Sequence, residues 1–188
     1  MGISLSHNRY EEIKRIVVDL FVKYNVTCVP VSGFELATKM GIKVVPYSAI
    51  HESRRWLLFK KSEDGFCSER ADGQWFIHYN DLKDYRRINN TIFHEIGHIV
   101  LDHSEDSELA EKEVKFFAKY ALVPPVLVHK LRHEYLEEVS PEDISNIFEV
   151  SLEAARYALS YYNKWLQFGS CYYTDYEMTL LNLFPSVA

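Results

Sequence analysis

Five residues near the middle of the chain, His94-Glu95-Ile96-Gly97-His98, constrain its folding more than any other feature. They set three ionisable side chains in an apolar run made by Ile92, Phe93, Ile96, Ile99 and Val100. Such a run marks a largely buried helix, and ionisable groups are costly to bury unless a metal ion or hydrogen bonds compensate. Residues four apart on a helix lie about 40° from one another and one turn along. Both imidazoles therefore project to the same side and can bind one metal ion. Glu95, one position after the first histidine, can reach a water beside the ion, accept its proton during attack and pass that proton to a leaving amine. The spacing thus specifies ligand, base and ligand. Gly97 costs about 1 kcal/mol in a helix interior relative to alanine, so a close neighbour across the helix is expected there.

A catalytic zinc site takes a third protein ligand and leaves a fourth position open. The metzincin pattern would need Gly at position 101 and His at 104, where the chain has Leu101 and Ser104. His103, five residues past His98, falls on the wrong side of a straight helix and reads as a supporting or surface residue. The next helical segment offers Glu108, Glu111 and Glu113 before Val114, Phe117, Ala118, Ala121 and Leu122. Glu111 lies three before Val114 and seven before Ala118, continues the apolar stripe, and is the expected third ligand. Glu113, four before Phe117, borders the same face and is the runner-up. Glu108 belongs to a solvated first turn, where it favours the helix dipole.

Around this centre the pattern is mainly helical. A helix capped by Ser6 or Asn8 runs to about Tyr24, and a second spans Ser32 to Met40, with Glu35 placed for a capping box and Gly41 as terminator. Ile42 to Val45 is a short strand, and Ser48 to about Lys60 is a helix. Gly65 to Glu69 and Gln74 to Tyr79, joined through Asp72-Gly73, read as a β-hairpin. Helices then follow over roughly Leu82 to Leu101, Ser107 to Leu122, Pro125 to Glu138, Pro141 to Phe148 and Ser151 to Phe168. This order predicts an α+β fold, mainly helical, with a small sheet and hairpin beside the His94 helix and a C-terminal helical extension. The expected division is a core over 1–124 and a helical region over 125–188 packed on it.

With 21 Lys and Arg against 27 Asp and Glu, the net charge is −6, which lacks the broad basic surface that nucleic-acid binding rewards. Cys28, Cys67 and Cys171 are odd in number and form no C-x-x-C pair, so neither a disulfide framework nor a thiolate zinc site is expected, and a reducing, cytoplasmic setting fits. Charges such as Asp19, Lys23, Glu35 and Lys39 interrupt every apolar stretch before it could span a bilayer. The opening Met1-Gly2-Ile3-Ser4-Leu5-Ser6 matches a loose myristoylation pattern, which is a weak filter.

The motifs resemble the ImmA/IrrE-type metallo-endopeptidases, a zincin-like family of bacterial chromosomes and mobile elements. The family signature is a His-Glu-Leu-Gly-His helix followed by Glu-x-x-Ala-Asn/Asp-x-Phe-Ala and Leu-Leu-Met-Pro. Here the matching runs are His94–His98, Glu111-Lys112-Glu113-Val114-Lys115-Phe116-Phe117-Ala118 and Ala121-Leu122-Val123-Pro124. The resemblance implies a Zn²⁺ cofactor held by His94, His98 and Glu111, with Glu95 as catalytic base. It also implies a protein substrate, namely a helix-turn-helix repressor of a phage, mobile element or stress regulon. Val114 and Lys115 depart from the pattern. A polar acceptor at the second position can orient a zinc-bound histidine, and a lysine cannot accept that bond, so Asp102 or a backbone carbonyl is expected to do so. The alternative is a non-proteolytic regulator that binds a repressor or other partner through the same pocket.

Weaker signals have structural explanations. His129 and His133 are four apart but lack an adjacent Glu, so a second metal site is not expected, although either could serve an oxyanion. Ser140-Pro141-Glu142-Asp143 and Val150-Ser151 start two helices resembling a helix-turn-helix, yet the second carries only Arg156 and Lys164 as basic groups and makes a poor DNA reader. Tyr161, Tyr162, Tyr172, Tyr173 and Tyr176 could form a protein interface or cover a core edge. The hairpin strand near Gln74 to Tyr79 is expected at a sheet edge, where an extended substrate could pair with it.

Overall fold

Capping side chains set where most of the helices begin. The computed structural model describes residues 4–103, 107–135, 138–169 and 172–187; Gly2 and Cys171, considered above as acylation site and thiol, lie outside them. Helix α1 (His7–Lys23) starts at Ser6, whose hydroxyl accepts from the Arg9 N–H, and α2 (Gly33–Lys39) starts at Ser32, which accepts from the Glu35 N–H. Strand β1 (Lys43–Pro46) leads through a 3₁₀ turn at Tyr47–Ala49 into α3 (Glu52–Lys61), and β2 (Gly65–Glu69) and β3 (Trp75–Tyr79) follow. The remaining elements are α4 (Tyr85–Val100), α5 (Glu108–Leu122), α6 (Pro125–Tyr135), α7 (Pro141–Ile147), α8 (Leu152–Gly169) and α9 (Asp175–Leu183). The fold is α+β and mainly helical, as the order of sequence patterns predicts.

Two boundaries and one whole helix differ from expectation for local reasons. Ser48 begins no α-helix because it lies within the 3₁₀ turn Tyr47–Ala49, which extended Ile50 ends, and His51 caps α3 instead. Helix α4 starts at Tyr85 rather than Leu82, since Asp84 accepts from the Arg87 N–H and the Asn80 side chain accepts from the Leu82 N–H. Helix α9 was not anticipated, although Thr174 and Glu177 form a reciprocal capping box at its start.

The strand order is β1-β3-β2, with β1 parallel and β2 antiparallel to β3. The hairpin is therefore present, but its second strand is central. The expectation that Gln74 to Tyr79 forms an edge is corrected: β1 pairs with β3 on its far side, and β1 and β2 are the two edges. The strand that precedes the crossover through α3, not only the hairpin neighbour, pairs with β3.

By internal contacts the chain divides into two units: Ser32–Ala118, and Ser4–Val31 together with Lys119–Ala188. The N-terminal helix thus groups with the C-terminal helices, and the boundary falls inside α5. In the second unit α1 buries Ile13, Val17, Leu20 and Phe21, with the Phe21 ring 5.9 Å from that of Phe184 just past α9. The Tyr176 hydroxyl donates to Glu11 at 2.7 Å, fixing the same pair of helices. Within the first unit, Ile77 of β3, Ile92, Phe93 and Ile96 of α4, and Val114 and Phe117 of α5 are fully buried. The apolar run that marked α4 in the sequence is the core helix of this unit.

Candidate metal centre

Helix α4 carries His94 and His98 one turn apart, and their Nε2 atoms stand 3.3 Å from one another. Glu111 on the first turn of α5 brings Oε1 to 3.6 Å from His94 Nε2 and 3.4 Å from His98 Nε2. Among the described residues these three form the one group of His, Cys, Asp or Glu side chains whose donor atoms converge closely enough to hold a metal ion. For bonds of about 2.0–2.2 Å, two ligands of a tetrahedral zinc ion stand about 3.3–3.5 Å apart. The observed triangle is close to one face of that tetrahedron. Its two imidazole nitrogens and one carboxylate oxygen suit zinc and similar transition metals, not calcium or magnesium, which take oxygen ligands.

Close approach of α5 to α4 depends on Gly97. A Cβ at that position would lie 3.0 Å from Phe117 Cδ1 and 3.3 Å from Val114 Cβ, inside ordinary carbon contact. The expectation of a close neighbour is met by the helix that carries Glu111.

Burial pushes the His94 imidazole below its ordinary pKa against the opposing pull of Glu111, which favours the neutral form that binds metal. Burial pushes the Glu111 carboxyl upward, but His94, Lys115 and His98 outweigh it and hold the group below its usual range. Lys115 Nζ sits 3.3 Å from Glu111 Oε2. The residue that departs from the family pattern therefore pairs with the outer oxygen of Glu111 and leaves Oε1 facing the histidines.

His98 is supported by His103, which the sequence places as a supporting or surface residue. Helix α4 ends at Val100, Asp102 adopts φ +54°, and the His103 N–H donates to the His98 carbonyl at 3.1 Å. This is the six-to-one bond of a Schellman turn, and it folds His103 back over His98. The two Nδ1 atoms are 3.4 Å apart, and His103 Nε2 lies 3.0 Å from Oε2 of the buried Glu113. Glu113, the runner-up ligand, thus faces His103, and Asp102 contributes the turn. The hint in the sequence was that the apolar run stops at Leu101, so a straight helix should not be extended to His103.

Glu95 is buried and lines the same cleft of about 720 Å³ as His94, His98 and Glu111. Its Oε2 accepts from the backbone N–H of Cys67 on β2 at 2.9 Å. Strand β2 can come so near because residue 65 has no side chain: a Cβ there would stand 2.6 Å from Thr91 Cγ2 and 2.7 Å from the His78 carbonyl oxygen. Burial, then the neighbouring Glu95, pushes the Cys67 thiol up to about 12, so it is not a thiolate nucleophile. In the other unit, His129 Nδ1 lies 3.0 Å from the Tyr162 hydroxyl and its ring packs near those of His133 and Trp165. Those two histidines have aromatic partners and no third metal-binding side chain among the described residues.

Among the described residues, no helix is long and apolar enough to cross a membrane. No curated protein matches the chain. A family model, Peptidase_M78, described as the IrrE N-terminal-like domain, matches residues 37–160. That span is about two thirds of the sequence and contains α4, α5 and every side chain of the cleft just described, and the chain belongs to this peptidase family.

Proposed function

We propose that the protein is a zinc-dependent endopeptidase in which His94, His98 and Glu111 hold the ion and Glu95 handles the proton. The observation that carries this reading is the donor triangle of 3.3, 3.4 and 3.6 Å with the Glu95 carboxylate in the same cleft. Family membership supports peptide-bond hydrolysis as the reaction. When bound, the ion supplies Lewis acidity toward a carbonyl oxygen and a water. Glu95, aimed by the Cys67 N–H, takes a proton from the attacking water and delivers it to the leaving nitrogen. His103 and Glu113 fix the ring plane of His98, while Lys115 steadies Glu111. The cleft is bordered by the edge strand β2, so an extended substrate segment pairs there, not with β3.

For the substrate we propose a helix-turn-helix repressor of a phage, mobile element or stress regulon, supported by the resemblance to ImmA/IrrE-type enzymes. The test is incubation of purified protein, with and without Glu95→Gln, with the repressor encoded beside it. Cleavage should fall by about 10²–10⁴-fold in the variant while its zinc content stays at the wild-type level. A repressor that remains intact but bound to the wild-type, zinc-loaded protein would refute hydrolysis in favour of a non-proteolytic regulator.

A further inference from the structure

Helix α3 (Glu52–Lys61) buries none of its residues, and Trp56 and Leu57 are 58% and 48% exposed. A ten-residue helix is too short to be stable alone, and α3 is held from one side only. The Arg55 guanidinium donates to the carbonyls of Ser48 and Ile50, and the Phe59 ring meets Tyr47 edge-on at 5.2 Å. At about 100° per residue, Ser53, Trp56, Leu57 and Lys60 then share the opposite, outward face. The helix carries Arg54, Arg55, Lys60 and Lys61 against Glu52, a balance of 4 − 1 = +3 in a chain of net charge −6. Among the described residues neither Arg54 nor Lys60 has an acidic partner. The helix also runs directly into the cleft, which Lys61 and Ser62 line beside β2.

From this we infer that α3 is a docking face for an acidic amphipathic segment of the substrate protein, with aliphatic side chains against Trp56 and Leu57 and carboxylates against Arg54 and Lys60. An aromatic anchor ringed by like charge suits such a segment, and contact at this point holds the rest of the substrate next to the cleft. An anionic membrane is the poorer occupant, because Glu63, Asp64 and Glu69 follow at once and would be repelled by the same surface. That the occupant is a substrate rests on the peptidase reading; the docking itself does not require metal.

The experiment measures fluorescence anisotropy of a labelled peptide of about 18 residues, long enough to form helix, with Leu at helical spacing and Glu elsewhere. The control peptide has Lys in place of Glu. The acidic peptide should bind at least about tenfold more tightly than the basic one, and Trp56→Ala or Lys60→Glu should each weaken it by about tenfold or more, with EDTA making no difference. Both positions are exposed, and circular dichroism of the two variants checks that they fold. Equal binding of the two peptides, or indifference to both substitutions, would overturn the inference. So would binding to equimolar phosphatidylserine and phosphatidylcholine vesicles without peptide binding, or a dimer that Trp56→Ala dissolves. Failure of the peptidase reading is separately visible, as absent zinc or absent cleavage by protein that still binds the acidic peptide.

Discussion

Replacing Gly97 by alanine should weaken metal binding as well as the fold. The new methyl would meet Phe117 Cδ1 at 3.0 Å and Val114 Cβ and Cγ1 at 3.3 Å, whereas carbon atoms rest at about 3.5–4.0 Å. Phe117 and Val114 are fully buried, so relief requires α5 to move outward by about half an ångström or more. Overpacking of this kind costs about 1–3 kcal/mol, and the alanine returns about 1 kcal/mol through helix propensity. The net loss of stability is therefore about 0–2 kcal/mol. Glu111 lies one turn before Val114 and moves with α5, lengthening the 3.4 and 3.6 Å distances to the histidines. Loss of that alignment should reduce zinc affinity by about tenfold or more. Urea unfolding in EDTA reads the first quantity, and competition with a chromophoric chelator reads the second. Adding Phe117→Leu, which removes the nearest ring atom, should recover part of the affinity at a further cost in stability. Zinc affinity within about twofold of wild type would refute the claim that this glycine sets the spacing between α4 and α5.

Three further outcomes follow from the same geometry. Glu113→Gln should lower zinc affinity by about 10–100-fold by disturbing the support of His98, and Glu111→Ala should lower it more; the reverse order in chelator competition would overturn the ligand assignment. Because the Cys67 thiol is pushed up to about 12 and Cys28 is exposed, iodoacetamide near neutral pH should alkylate Cys28 before Cys67, and equal rates at these two by peptide mapping would contradict the site as described. Burial, then the Glu95 and Asp64 carboxylates, raises Tyr47 to about 12, and burial with the hydrogen bond to Glu11 raises Tyr176 to about 12. Unfolded tyrosines lose their protons near pH 10. These raised groups thus contribute stability that is full below about pH 10 and declines as pH rises toward about 12. A urea midpoint unchanged between about pH 9 and about pH 11 would refute this.

How much of the fold was legible depended on whether the deciding interaction was local. Ser6, Ser32 and Ser140 cap helices where the sequence places them, because a cap is an interaction over three residues. The hairpin was legible through Asp72-Gly73, with Gly73 at φ +80°. The place of β3 in the sheet was not, since nothing in Trp75–Tyr79 states that Lys43–Pro46, some thirty residues earlier, pairs with its other side. The apolar stripe of α1 likewise announced a burial requirement without naming the helices that meet it.

The candidate site divides along the same line. His94, Glu95 and His98 share one helix, and helical geometry alone brings both imidazoles to one side. Glu111 and Glu113 differ by two positions on α5, and periodicity favours the first only weakly, since both border the apolar face. What separates their roles is the end of α4. The Schellman turn at Asp102 returns His103 to His98, so that Glu113 meets an imidazole already in place and Glu111 is left to face the two Nε2 atoms. Lys115 fits this division, because an acceptor on α5 is not needed for His98 once His103 lies against it, and a cation there instead holds the outer oxygen of Glu111. A departure that looked like a defect of the motif in the sequence is matched in the structure by a supporting group from the turn.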